Sequence, residues 1–372
     1  MKKKVCIVAS YAPSILNFRK ELVTEIAKTC EVFVCVPFIT HELKINIERL
    51  GVVVVNVKMN SGSIGPLHNL NYMLTLFRHF RGIRPDVVFN YTIKPVIWGS
   101  FAARLTGVKH IVSMITGLGY SFTDLDSFKR KLVNKCVCLL YRVALIVNQI
   151  VLFQNNDDRR LFRDKKLINN TQSIVINGSG VNLDYFEYHA QYPEKTTFLM
   201  MGRLLKDKGI YEYIEAARQI KKIYNNVDFN LVGWIDDNPS SITANELSVW
   251  CTEGIVNFIE KVEDVRGCLM ASSVFVLPSY REGTPRSVLE AMSMGRPIIT
   301  TDAPGCRETV IQNLNGYLIP IKNTEKLVES MIKLIDNKEL LHAFGKKSRE
   351  IAEEKYDVYK VNAVIMKALK LD

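Results

Sequence analysis

The chain has 372 residues, 48% hydrophobic and 23% charged, with a formal net charge of +11. That length favours two domains over one, and the balance is that of an ordinary globular protein. No window is apolar for long enough to span a bilayer: the longest, residues 136–151, is interrupted by Arg142 and Asn148. All the excess positive charge lies in the first half, where residues 1–190 hold 25 Lys and Arg against 13 Asp and Glu; residues 191–372 hold 24 against 25. A one-sided basic surface suits a polyanion or an anionic membrane, or is a solvated face with no partner. No nucleic-acid module is recognisable, which sets nucleic acid aside. The eight cysteines form no C-x-x-C pair and several sit in apolar runs, the pattern of reduced, buried thiols in a cytoplasmic protein.

The N-terminus has a basic start like that of a signal peptide, but its apolar part runs only about five residues before Tyr11 and Pro13, so it reads as a first strand. Short β-branched runs then alternate with segments of helical period. Strands are expected at 5–10, 32–37, 52–57, 86–91, 110–115, 150–154 and 173–177, and, after 177–196, again at 197–202, 229–233, 256–260, 274–279, 297–301 and 317–320. The alternation predicts an α/β protein of two Rossmann-like, doubly wound parallel-sheet domains facing across a cleft. The boundaries read as 1–185 and 186–356, with a final helix at about 357–372 that returns to the first domain.

The stretch 281–305, REGTPRSVLEAMSMGRPIITTDAPG, carries the most chemistry. It follows the buried strand VFVLPS. Gly283 gives a flexible turn, Thr284 suits a helix cap and Pro285 the first helical position, while Gly295 and Pro297 end the helix. Glu282 then stands on the loop at a strand's carboxyl end, and Glu290 on the helix nearly two turns in. Backbone N–H groups at the helix start make an anion site, and the two carboxylates accept hydroxyl hydrogen bonds, a combination suited to a sugar nucleotide. A second stretch, FLMMGRLLKDKG (198–209), ends a strand at Gly202 and puts Arg203 and Lys208 in the following loop, where two cations neutralise a diphosphate and stabilise it as it leaves. A third, TDAPGCRETV (301–310), is another strand-to-loop turn with Gly305 allowing close backbone approach.

GRLLKDKG followed by VLPSYREGTPRSVLEAMSMGRPIITTDAPGCRETV resembles the signature of the family 4 retaining glycosyltransferases of the GT-B fold, with Glu282 and Glu290 as its E-x7-E pair. The resemblance covers nearly the whole chain and is strongest over 197–320; NGSGVNLDYF (177–186) matches the family's stretch before the interdomain linker. It implies that Arg203 and Lys208 hold the donor diphosphate, Glu282 the donor sugar hydroxyls and Glu290 the ribose. Gly283, Thr284 and Pro285 would lie by the sugar and distal phosphate, and Phe258, Ile259, Glu260 and Lys261 by the nucleobase. The family has a glycine at about Glu260, so that edge of the base pocket differs here.

The acceptor side falls to the first domain. The family's double glycine is absent from 9–23; the chain resembles instead a subset with Asn17, Phe18 and Arg19 at a helix start. Arg19 reads either as a cleft residue or, more simply, as a surface arginine. Lys94, in a loop after a strand, suits an acceptor pyrophosphate, and Gly117 and Gly119 leave room for a sugar. Thr116 stands where many relatives carry a histidine, so a mechanism using an imidazole there does not transfer. Asp124 and Asp126 imitate a metal-binding D-x-D but lie in the wrong domain, and the six histidines lack ligand spacing. No metal or cofactor is therefore expected.

Segments 67–84 and 127–144 read as helices with Phe, Leu or Tyr beside Arg and Lys: core helices with solvated ends, or a monotopic face on an anionic inner leaflet. Along its length the chain resembles bacterial transferases that extend undecaprenyl-diphosphate-linked sugars. That implies a cytoplasmic enzyme, peripheral to the membrane, moving an N-acetylhexosamine from a UDP-sugar to a lipid-linked glycan in O-antigen or capsule assembly. Two alternatives on the same architecture are a nucleotide-sugar 2-epimerase and a non-catalytic nucleotide-sugar-binding protein.

Overall fold

The computed structural model describes residues 2–59, 65–118, 128–169 and 173–371. The chain divides into two compact units, Met1–Ser179 with Tyr359–Asp372, and Gly180–Val358.

The first unit runs β1 (Lys4–Val8), α1 (Pro13–Thr29), β2 (Glu31–Val36), α2 (His41–Glu48), β3 (Val53–Asn56), α3 (Pro66–Ile83), β4 (Val87–Tyr91), a π-helical turn (Pro95–Gly99), α4 (Ser100–Leu105), β5 (His110–Ile115), α5 (Phe128–Ile146), β6 (Ile150–Phe153), α6 (Asn156–Asp164) and β7 (Ser173–Val175). The second runs β8 (Thr196–Arg203), α7 (Ile210–Lys221), β9 (Val227–Trp234), α8 (Ala244–Thr252), β10 (Asn257–Glu260), α9 (Arg266–Met270), β11 (Val274–Leu277), α10 (Arg286–Ser293), β12 (Ile298–Thr301), β13 (Gly316–Ile319), α11 (Thr324–Asp336) and α12 (Lys338–Ile351), before α13 (Val358–Leu369). All thirteen expected strands form. Every strand pair is parallel, in the orders β3-β2-β1-β4-β5-β6-β7 and β10-β9-β8-β11-β12-β13.

A parallel sheet covered on both faces needs strands that are apolar at every position. β1 shows why KVCIV serves: Val5 and Ile7 join one core cluster with Val34, Phe89 and Met114, while Cys6 and Val8 join another with Tyr72, Leu76 and Phe80. The two-residue period sends alternate side chains into the two layers. In the second unit one cluster runs from Phe198 and Phe229 through Phe275 and Leu289 to Phe344. The cysteines depart in part from the buried-thiol expectation: all eight are free, but Cys136 and Cys251 are exposed.

The last helix belongs to the first unit's core. Val361, Ile365, Ala368 and Leu369 enter the cluster with Val5, Ile7 and Val34, His110 Nε2 lies 2.8 Å from the Ala368 carbonyl oxygen, and Lys3 Nζ donates to the Lys370 carbonyl at 2.8 Å. Ile365 is fully buried. Replacing Ile365 by Ala should cost about 2–5 kcal/mol of stability, read as a lowered urea midpoint of the first unit's transition.

Candidate active site

In the second unit the strand order reverses beside β8. The chain lays β9 and β10 to one side, then returns to place β11 on the other. The loops that leave the carboxyl ends of β8 and β11 start at this reversal, which is where sheets of this kind bind ligands.

Three loops are knitted together there. β8 ends with Gly202, at φ +154°, and Arg203. A 3₁₀ turn, Lys206–Lys208, leads to Gly209, whose φ of +76° and position allow no side chain: a Cβ there would lie 2.2 Å from the Pro278 carbonyl oxygen. The loop after β11 therefore presses directly on the loop after β8. Across this contact the Tyr280 N–H donates to the Asp207 carbonyl at 2.9 Å, and Lys208 Nζ forms an ion pair with Glu282. Their side chains are only 20% and 12% exposed, so the pair is poorly screened by water. The loop after β12 closes on the same point. The Glu282 N–H donates to the Pro304 carbonyl at 2.9 Å, and Gly305, at φ +80°, leaves no space for a Cβ against the Glu282 carbonyl oxygen. Tyr280 also donates through its hydroxyl to Glu212 at 2.7 Å; burial, followed by that carboxylate, pushes the phenol pKa up.

The helix that follows runs from Arg286, and only its cap differs from expectation. Pro285, not Thr284, is the N-cap of α10, and Thr284 is buried in the turn before it. Glu290 lies on α10 and pairs with Arg286 rather than meeting Glu282: Arg286 Nε donates to Glu290 Oε1 at 3.0 Å, both side chains 14% exposed. Burial raises the Glu290 carboxyl above its ordinary range, while the Arg286 guanidinium pulls it back down. Glu290 Oε2 has no protein partner among the described residues and remains an open acceptor.

Arg203 stands apart from Lys208. It is exposed and pairs with Asp236 at 3.3 Å, on the loop after β9. Phe258 and Ile259 are half-buried on β10, the edge strand; Glu260 and Lys261 are exposed, and the Lys261 ammonium lies 4.9 Å from the centre of the Trp234 ring. Asp236 and Arg286 were not singled out from sequence. Arg286 was detectable, since its i,i+4 spacing to Glu290 is that of a helical ion pair.

The first unit repeats the reversal between β1 and β4. There the Thr92 hydroxyl donates to Ser10 Oγ at 2.7 Å, and Thr92 holds φ +72°, a strained setting for a β-branched residue. Lys94 is half-buried, its ammonium pKa lowered by desolvation. Thr116 is half-buried and Gly117 takes φ +133°. Asn17 is exposed. Arg19 corrects the surface reading: it is 2% exposed, with Nη2 2.8 Å from the Met114 sulfur and its guanidinium 5.7 Å from the Tyr91 ring. Its α1 position, four residues after Ile15 and three before Leu22, puts it on the helix's buried stripe. Gly119, Asp124 and Asp126 lie outside the described residues, among which no cluster of His, Cys, Asp and Glu suits a metal ion.

Two Rossmann-like units, the second bearing cations and carboxylates around its strand reversal, give the GT-B fold. The profile for "Glycosyl transferases group 1" matches residues 181–351 and that for "Glycosyl transferase 4-like" residues 4–155; the chain belongs to this family of glycosyltransferases. It is 28% identical, over 96% of its length and 95% of the relative's, to N,N'-diacetylbacillosaminyl-diphospho-undecaprenol alpha-1,3-N-acetylgalactosaminyltransferase of Campylobacter jejuni. Among solved structures, sucrose-phosphate synthase from Thermosynechococcus elongatus matches with a TM-score of 0.82 at 15% identity, covering 99% of this chain and 98% of that one. Anabaena HepE in complex with UDP-glucose matches with a TM-score of 0.77 at 17% identity, covering 99% of each chain. These likenesses identify the fold, and the epimerase and binding-protein alternatives give way to a glycosyltransferase.

The ion pair makes its own prediction. Lys208→Ala removes an ammonium from beside a carboxylate only 12% exposed and should cost roughly 1–3 kcal/mol in urea unfolding; adding Glu282→Gln should recover part of that loss.

Proposed function

We propose that the enzyme transfers an N-acetylhexosamine from a UDP-sugar to a lipid-linked, diphosphate-bearing glycan, with retention at the anomeric carbon. The observation that carries the donor half is the juxtaposition of Lys208 and Glu282 at the strand reversal, with the open Oε2 of Glu290 on the adjoining helix. Lys208 and Arg203 are the cations for the diphosphate. Glu282 takes the sugar hydroxyls and Glu290 the ribose; Gly283, Thr284 and Pro285 line the sugar and distal phosphate, and the 258–261 edge meets the base. Both cations rest on carboxylates, Glu282 and Asp236, which a diphosphate would displace or share. The UDP-glucose complex of the Anabaena relative and the substrate in the Campylobacter relative's name support the donor class and the lipid-linked acceptor.

The chemistry follows from charge. The bond from the anomeric carbon to the diphosphate oxygen breaks, and the bond to the acceptor oxygen forms on the same face. The acceptor's proton goes to the leaving diphosphate, so no side-chain base is required at Thr116. Lys208 and Arg203 stabilise the charge that develops on the diphosphate, and Glu282 orients the sugar. In the first unit, Lys94, Thr116, Gly117 and Gly119 are the acceptor side, with Asn17 at its rim and Arg19 acting from within the fold. We place no metal in the reaction.

Incubation with a panel of sugar nucleotides and lipid-linked acceptors, with products identified by mass, tests the assignment. Lys208→Ala, Arg203→Ala and Glu282→Ala should each lower kcat/KM by roughly 10²–10³ while the fold persists. Full transfer by the Lys208 and Glu282 variants would overturn the donor site.

A membrane-peripheral setting is supported by the helices of the first unit. α3 buries Tyr72, Leu76 and Phe80 but exposes Leu67, Leu70 and Leu74; α5 exposes Phe128, Leu132, Leu139, Val143 and Ile146 beside Lys131, Lys135 and Arg142. No helix among the described residues is long and apolar enough to cross a membrane. The protein should float with anionic vesicles more than with neutral ones, and the difference should shrink as salt rises. Equal flotation on both would count against a charge-driven contact.

A further inference from the structure

Arg286 does more than neutralise Glu290. Its Nη1 donates to the Gly180 carbonyl oxygen at 2.9 Å, while its Nε holds Glu290. Gly180 is the first residue of the second unit, and Val358 is the last. The two are in direct contact. Gly180 takes φ +70°, and a Cβ on it would lie 2.6 Å from Val358 Cα. Beside them the entering and leaving segments are stapled by two hydrogen bonds: the Val181 N–H donates to the Tyr356 carbonyl at 2.8 Å, and the Val358 N–H to the Val181 carbonyl at 3.0 Å. A further brace comes from the loop after β12, where the Glu308 carbonyl accepts from Lys355 Nζ at 2.9 Å and from the Tyr356 hydroxyl. The chain thus enters and leaves the second unit at one stapled point, and one guanidinium joins that point to the carboxylate assigned to the ribose.

The fork of an arginine makes this possible. Its donors are fixed in one plane, so Nε on Glu290 and Nη1 on Gly180 constrain each other's geometry, which a single ammonium cannot do. Arg286 and Glu290 are both largely shielded from solvent, so the link is poorly screened by water.

We infer that Arg286 is a positioning residue that couples donor binding at Glu290 to the order of the stapled crossing at residues 180–181 and 356–358. The inference rests on the donor reading of Glu290 given above. A nucleotide whose ribose hydroxyls donate to Oε2 fixes the carboxylate, the carboxylate fixes the guanidinium, and the guanidinium fixes the Gly180 peptide. By reciprocity, ordering the crossing tightens the donor.

Amide hydrogen exchange with UDP as the probe reads this directly. In the wild-type protein UDP should slow exchange of the Val181 and Val358 amides roughly tenfold, a size within the usual range of site–site coupling. Arg286→Gln should abolish that slowing and raise the donor KM roughly tenfold, with kcat changed by less than about threefold. Arg286→Lys, which keeps a charge beside Glu290 and guards against a folding defect, should restore most of the UDP affinity but not the slowing. If Glu290→Gln weakens UDP binding while Arg286→Gln still shows the UDP-dependent slowing, the coupling is wrong and the donor site stands. If Glu290→Gln binds UDP as the wild type does, the donor reading falls and the coupling with it.

Discussion

The reversal of strand order beside β8 is the constraint on which the second unit's chemistry depends. Because β9 and β11 flank β8 on opposite sides, the loops that follow β8 and β11 must part at the sheet's carboxyl edge. Parting alone would leave a wide, hydrated gap. Gly209 and Gly305 prevent this, since each lets one loop's backbone rest on its neighbour's carbonyl where any side chain would collide. The result is a narrow place where Lys208 and Glu282 meet largely out of water. Charges there interact more strongly and with less screening than on the open surface. The fold therefore sets both the position and the strength of the charged groups.

The two units use one topology for different ends. In the second, the reversal carries ion pairs; in the first, it carries hydroxyls, with Thr92 and Ser10 bonded across it and Arg19 buried behind. On the proposed reading, fixed cations in the second unit suit a departing diphosphate, and the hydroxyls and half-buried Lys94 of the first suit an incoming sugar hydroxyl.

Much of this was legible in the sequence. Thirteen short β-branched runs separated by helical periods point to the class, because strand–helix alternation is the pattern of a parallel sheet covered on both faces. The second-unit site was legible because it is built from local motifs: a strand end, a glycine, a cation or carboxylate at fixed spacing. What stayed hidden was long-range. Nothing local shows that Arg203 rests on Asp236, that Arg286 reaches back to Gly180, or that Arg19 is inside. An arginine on an amphipathic helix looks like a surface residue until Met114 and Tyr91 are brought over it by distant strands. The cap of α10 also differed, with Pro285 rather than Thr284 in that position and no side-chain hydrogen bond closing it.

The placement of α13 has a consequence for how the chain acquires its shape during synthesis. Residues 180–358 are contiguous and hold a complete core, whereas the first unit's core is finished only by Val361, Ile365, Ala368 and Leu369. A ribosome therefore delivers every part of the later lobe before the closing piece of the earlier one. The lobe made first is the last to be completed, and until then the cluster that holds Val5, Ile7 and Val34 lacks its C-terminal members on the nascent chain.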